Sequence, residues 1–288
     1  MPEPSFGRRT GNEALAADDP TSPDPAGAVR FERAVWRDGV LSASGERTLP
    51  AEVAVALVHD ASTTAVMMAT PSDLADFGYG FSLTEGVIAR REQIQRLEVV
   101  ETPLGMEVRM WLEPGTGATL ADRRRRQAGP TGCGLCGIDS LAEASRAPRV
   151  VRVPLSLTPA QVQAALRALS AEQALNRLTR AVHAAGYWSP ETGLVAARED
   201  VGRHNALDKL AGALALAGGA PPGAVVLTSR VSVEMVQKTA AIGAPILIAV
   251  SAPTALAVRT AEAAGITLVG VARDDGFEVF TRPDRIVA

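Results

Sequence analysis

The two cysteines of this 288-residue chain stand three positions apart, in Thr131-Gly132-Cys133-Gly134-Leu135-Cys136-Gly137. A cysteine attacks as its thiolate, and neighbouring positive charge lowers the thiol pKa from about 8.5. The run Arg123 to Arg126 lies just upstream and could supply that charge, although a solvated charge run is the plainer reading. Glycines on both sides free the loop to reach out and withdraw. A structural zinc site needs four ligands, commonly two such cysteine pairs or one pair with closely spaced histidines. Only His59, His183 and His204 are available, and no two are close in sequence. A secreted disulfide framework would carry more cysteines and a signal peptide. A dithiol redox pair of the thioredoxin kind expects its first cysteine at a helix start, not between glycines. The pair therefore points to sulfur chemistry on a loose arm, with simple dithiol redox left open.

Phosphate-binding chemistry is suggested further along. The segments Arg198 to Asn205, Ser229 to Glu234 and Ser251 to Thr254 each follow an apolar strand and lead into a helix. Helix N-termini at strand ends favour anions, and Arg203 and Arg230 add guanidinium forks suited to phosphate. Ordinary capping by Ser232 and Thr254 is the alternative for any one of them. Neither a Walker loop nor a G-x-G-x-x-G fingerprint is present. His183 is followed by Ala184 and Ala185, whereas a zinc deaminase places Glu two residues after its histidine. A deaminase-like fold would lack its zinc chemistry here, and His183 is expected to pack near a helix C-terminus.

The elements that must position these groups fall into two patterns. Residues 1–28 are rich in Pro, Ala, Asp and Gly without apolar periodicity and read as a disordered tail. Residues 29–120 are β-rich, with strands over Glu52–Val58 and Met106–Leu112. One helix interrupts them, with Thr70 as N-cap, Pro71 at the first position, and Leu74, Phe77 and Phe81 on its apolar face. Residues 121–149 read as a linker carrying the cysteine loop. Residues 150–288 alternate helix and strand. A capping box at Thr158–Gln161 opens one helix, and a second is expected from Ser170, through Leu175, Leu178 and Val182, to a stop at Gly186. Apolar strands at Ala224–Leu227, Ile246–Val250 and Thr267–Val271 alternate with further helices, which predicts a three-layer α/β unit.

Composition bounds the rest. Hydrophobic residues make up 47%, charged residues 21%, and the net charge is −3, so broad attraction to nucleic acid is not expected. No apolar run approaches the roughly 18 residues of a membrane span. Scarce cysteine and no visible signal sequence point to the cytoplasm.

Several motifs together resemble the FdhD family, the formate dehydrogenase accessory sulfurtransferases. They are Met68 to Leu74, Thr131 to Gly137, Glu199 to Lys209, Ser229 to Ser232 with Glu234 to Val236, Ser251 to Thr254, and the tail around Thr267 to Thr281. The resemblance implies a sulfur carrier that takes sulfane sulfur from a cysteine desulfurase. It would pass that sulfur to the molybdenum bis(molybdopterin guanine dinucleotide) cofactor, bound as substrate, which formate dehydrogenase requires. It implies a cytidine-deaminase-like three-layer α/β domain with a smaller N-terminal β-rich α+β domain, a homodimer, and no metal of its own. The family's persulfide-bearing cysteine falls on Cys133; thiol exchange chemistry, not the resemblance, suggests that Cys136 attacks that persulfide and releases the sulfur. The cofactor segment falls on Val271, Ala272, Arg273, Asp274, Asp275 and Gly276, beside Arg203, His204, Arg230 and Ser232. The family tends toward arginine-glycine and then a basic residue where this chain has Arg273-Asp274-Asp275-Gly276. A cofactor-binding chaperone without thiol chemistry, or a dithiol oxidoreductase, are the alternatives.

Overall fold

The computed structural model describes residues 27–116 and 148–287, so the cysteine loop and the arginine run lie outside the described residues. A two-stranded ribbon, β1 (Ala28–Arg37) and β2 (Val40–Pro50), leads into β3 (Val53–His59), β4 (Ser62–Ala69), β5 (Ile94–Thr102) and β6 (Gly105–Leu112). The last four form one sheet in the order β4-β3-β6-β5. Helix α1 (Leu74–Thr84) covers one face of it. The alternation of β3 and β6 turns Val55, Leu57, Val108 and Met110 inward, where they meet Leu74, Phe77 and Phe81 of α1.

Helix α1 starts later than its sequence suggests. Its N-cap is Asp73, in the left-handed region at φ 52°, and Asp73 makes no capping bond. Thr70 is fully buried and spends its polar atoms on the other sheet instead, which is why local capping logic fails there.

After residue 148 come α2 (Pro159–Glu172), α3 (Ala174–Thr179), β7 (His183–Ser189), β8 (Gly193–Asp200), α4 (Arg203–Leu216), β9 (Ala224–Leu227), α5 (Val233–Ile242), β10 (Ile246–Ala249), α6 (Ala255–Ala264), β11 (Thr267–Arg273) and β12 (Gly276–Val279). The capping box forms as read: Thr158 Oγ1 accepts from Gln161 N, and the Gln161 side chain accepts from Thr158 N. The helix expected over 170–186 does not form. Ser170 lies inside α2, α3 is a six-residue turn whose first amides are accepted by Glu199, and Gly186 sits within β7. Alanine-rich local patterning reads as helix there, but β7 pairs on both edges, and that tertiary pairing prevails.

The six strands are ordered β12-β11-β10-β9-β7-β8. β9, β10 and β11 are parallel, β7 runs against β9, and β8 runs against β7. The connections β8-α4-β9, β9-α5-β10 and β10-α6-β11 all step the same way across the sheet. Right-handed crossovers must then put all three helices on one face. There Leu207, Leu210, Met235, Val236 and Ala261 pack on Val225, Leu227, Leu247 and Leu268. The opposite face, with Val226, Ile246, Ile248 and Val269, is covered by Val162, Ala165 and Leu169 of α2. The result is a mixed α/β arrangement with three layers around this sheet.

The first sheet meets the second through α1 and α4. A Cβ added at Gly80 of α1 would overlap the Asp208 carbonyl, and one at Gly212 of α4 would overlap the Asp76 carbonyl. Only glycine lets the two backbones come this close.

Candidate anion-binding rim

Because β8, β9, β10 and β11 point the same way, their C-terminal ends share one edge of the sheet with the start of β7. Lateral hydrogen bonds join the strand-end segments into a rim. Ala184 N donates to Thr228 Oγ1 (2.9 Å), Val231 N to Ala252 O (3.3 Å), Thr254 N to Val231 O (2.9 Å) and Val271 N to Ser251 O (3.2 Å). The helices α4, α5 and α6 begin on this rim, which aims their free N–H groups and dipoles at whatever sits above it.

Capping separates these helix starts. Thr254 is an ordinary cap, its hydroxyl accepting from Ala257 N at 3.2 Å. Ser232 occupies the corresponding place at α5 but caps nothing. Its hydroxyl is buried without a hydrogen-bond partner among the described residues, and so are Arg203 Nε and His204 Nε2 at the start of α4. Orphaned buried polar atoms are rare because each forfeits its hydration, and three on one rim leave hydrogen-bonding capacity unspent there.

His204 Nε2 stands 4.0 Å from Glu234 Oε2, too long for a hydrogen bond, and the Ser232 hydroxyl also acts on that carboxylate. Their fields still act: the His204 imidazole first, then the Ser232 hydroxyl, hold the Glu234 carboxyl down to about 2 against its desolvation. His183, expected beside a helix C-terminus, is the first residue of β7 and feels Arg203 and His204 at the N-terminal start of α4. Burial, then the charges of Arg203 and His204, push its pKa below the ordinary imidazole value, which keeps it neutral near pH 7. Arg230 is exposed on the same rim.

The cofactor segment expected at 271–276 divides in two. Val271 lies on the rim at φ 50°, a strained conformation for a β-branched residue, where the β11–β12 pairing shifts register between Gly270 and Arg273. Ala272 is buried beneath it. Arg273 donates to Val250 O at 2.7 Å, while Asp274 and Asp275 form the exposed turn into Gly276. Gln163 of α2 donates to Asp274 O at 3.0 Å, so this turn leans toward the opposite face of the sheet. Among the described residues no three His, Cys, Asp or Glu side chains group so as to hold a metal ion. Cys133 and Cys136 lie outside the described residues.

Behind the rim lies a buried polar network that sequence reasoning passed over. The Asp200 carboxylate accepts from Thr70 N (3.0 Å), Gly202 N (2.7 Å) and Asn205 Nδ2 (3.0 Å), and pairs with Lys209 Nζ at 2.7 Å. Lys209 also donates to Thr70 O (2.9 Å), Val201 N to Thr70 Oγ1 (3.2 Å) and Asn205 Nδ2 to Met68 O (2.9 Å). Lys209 and Asp200 are both 0% exposed. A second lysine, Lys238 of α5, donates to Asp208 Oδ1 (2.8 Å), Glu85 Oε1 (2.7 Å) and Thr84 Oγ1 (3.0 Å). Burial alone would strip Lys238 of its charge; Asp208 and Glu85 reverse this and raise its pKa. Arg198 ties β8 to Asp76 of α1 at 2.6 Å. The signal available in the sequence was that α4 carries His, Asn, Asp and Lys but no continuous polar face.

Known proteins can now be set beside this geometry. Residues 50–287 match the model of the FdhD/NarQ family. The chain is 55% identical over 260 residues to the sulfur carrier protein FdhD of Agrobacterium fabrum, covering 90% of this chain and 96% of that one. It is 47% identical over 264 residues to the sulfur carrier protein FdhD of Cupriavidus necator, 91% of each chain. A crystal structure from Desulfotalea psychrophila, provisionally described as a formate dehydrogenase accessory protein, superposes with a TM-score of 0.70 at 26% identity. It covers 91% of this chain and 100% of its own. The motifs at Met68–Leu74 and Glu199–Lys209 supply the two sides of the buried Asp200–Lys209 network, which latches the first sheet to the second, and the matched region contains the whole rim; this chain belongs to the FdhD/NarQ family.

Proposed function

We propose that the protein is a sulfur carrier for the maturation of formate dehydrogenase, acting as a sulfurtransferase through a Cys133 persulfide. A cysteine desulfurase presents its own persulfide; the Cys133 thiolate attacks the outer sulfur, the donor S–S bond breaks, and the desulfurase thiolate leaves. The molybdenum bis(molybdopterin guanine dinucleotide) substrate lies on the rim, its phosphates toward Arg203, His204 and Ser232. Arg230 and the Val271–Gly276 segment flank it. Cys136 attacks the inner sulfur of the persulfide, sulfide departs toward the metal, and a Cys133–Cys136 disulfide remains for a thiol reductant to reopen.

The reading includes a cytidine-deaminase-like ancestry for residues 150–288, with Ala185 where a deaminase would carry its Glu. It also includes a smaller domain at 29–120, a connecting segment at 121–149, a homodimer and a cytoplasmic setting. No helix among the described residues is long and apolar enough to cross a membrane. The names of the relatives support the sulfur-carrier role. The observation that carries the ligand class is the set of three buried polar atoms on one rim, Arg203 Nε, His204 Nε2 and Ser232 Oγ, that have no hydrogen-bond partner among the described residues.

Two measurements test the reading. Incubation with a desulfurase and cysteine should add about 32 Da, one sulfur atom, at Cys133, and Cys133→Ala should lose the adduct and formate dehydrogenase activation together. Full activation by Cys133→Ala would leave a chaperone that binds the cofactor without thiol chemistry. Calorimetry with GDP should show Arg203→Ala weakened by about 1.5–3 kcal/mol, roughly 10- to 150-fold, the loss of one charged hydrogen-bond partner. Unchanged affinity would remove the rim from the site.

A further inference from the structure

The rim groups sit on two helices, Arg203 and His204 on the first turn of α4, Ser232 and Glu234 at the start of α5. A ligand held by both is sensitive to their spacing. Each helix carries one buried lysine below the rim, Lys209 six residues after Arg203 and Lys238 four residues after Glu234. Both lysines reach the same third element. Lys209 donates to the carbonyl of Thr70, just before α1, and Lys238 donates to Thr84 Oγ1 and Glu85 Oε1, where α1 ends. Each ammonium also stands 6.0 Å from the ring of Phe77 or Phe81, one turn apart on α1. Asp208 of α4 completes the loop by accepting from Lys238 of α5 and from Thr84 of α1.

We infer that α1 sets the geometry of the rim from behind. Thr70, Thr84 and Glu85 are positioning residues for the anionic ligand although none of them lines its site. The physical reason is the directionality of the bonds to two buried ammonium groups. Neither lysine can follow a displaced helix without leaving charge unpaired in the interior. The rigid spacer is α1, whose separation of its two anchors fixes α4 against α5. By linkage the coupling is reciprocal: a ligand that draws the rim together must tighten the hold on α1.

The inference rests on the rim being the anion site proposed above, and the experiment separates the two. GDP binding to the full-length protein is measured by calorimetry for wild type, Thr84→Val, Glu85→Gln and Thr84→Ser, with thermal melting to confirm folding. Thr84→Val and Glu85→Gln should raise Kd about five- to tenfold, the lower range of site-to-site coupling, while Thr84→Ser, which keeps the hydroxyl, stays within about twofold. Glu85 is 36% exposed, so its variant tests the idea even where Thr84→Val fails to fold. Amide exchange should also slow at residues 70–85 when GDP binds wild type. If wild type binds GDP and neither folded variant changes Kd by more than about twofold, α1 is only structural and the inference fails. If wild type does not bind GDP at all, the rim reading fails and takes the inference with it.

Discussion

Replacing Lys209 by Met removes an ammonium that is 0% exposed and sits 2.7 Å from an equally buried carboxylate. Met nearly matches the aliphatic stem in length, so packing against Phe77 survives and the change is chiefly one of charge. Asp200 would lose its ammonium partner but keep Thr70 N, Gly202 N and Asn205 Nδ2 as donors. Breaking a buried pair from one side typically costs about 3–5 kcal/mol, and three remaining donors argue for the lower end, about 3 kcal/mol. That is a large share of the roughly 5–15 kcal/mol that holds a folded protein together. Adding Asp200→Asn removes the stranded charge, so the double variant should cost less than the sum of the single ones by about 2 kcal/mol, a coupling typical of groups in direct contact. Urea unfolding followed by the fluorescence of buried Trp188 would read all four corners of the cycle. A Lys209→Met loss below about 1 kcal/mol, or strict additivity, would refute the claim that this pair latches the two sheets.

Gly80→Ala should destabilise by at least about 1–3 kcal/mol, the usual range for overpacking, because its Cβ would meet the backbone of α4, which cannot rotate away; a thermal midpoint equal to wild type would contradict the close contact. Acidification should weaken the fold in two steps. His183 has a depressed folded pKa, so the unfolded chain binds its proton first and stability falls as pH drops below about 6.5; in His183→Gln that slope should flatten. Glu234, also depressed, contributes fully above its unfolded value of 4.5 and loses that contribution as pH falls toward about 2. After discounting for solvent screening at this partly exposed carboxylate this is worth about 1 kcal/mol, and a Glu234→Gln profile that matches wild type between pH 5 and 2 would remove the effect.

Local rules made a good deal of this molecule legible in advance. The apolar runs at 224–227, 246–249 and 267–271 are strands because four or more consecutive buried residues suit a sheet covered on both faces. The polar segments that follow them had to gather at one edge once those strands were parallel. The sulfur chemistry of Cys133 and Cys136 is a reading of residue type and spacing, and it stands on sequence and kinship because that loop lies outside the described residues. What only the tertiary structure decided concerns contacts between segments distant in the chain. Thr70 looked like a helix cap and became a hydrogen-bonding partner of residues 130 or more positions away. Residues 183–186 looked helical and became the start of a strand between two neighbours. Ser232 and Thr254 look alike in sequence, yet Thr254 caps its helix and Ser232 does not. Lys209 and Lys238 carry no local sign of burial, since burying an ammonium is costly unless acceptors surround it. Those acceptors come from α1, β8 and α4, and no pattern confined to one helix reveals that they will converge.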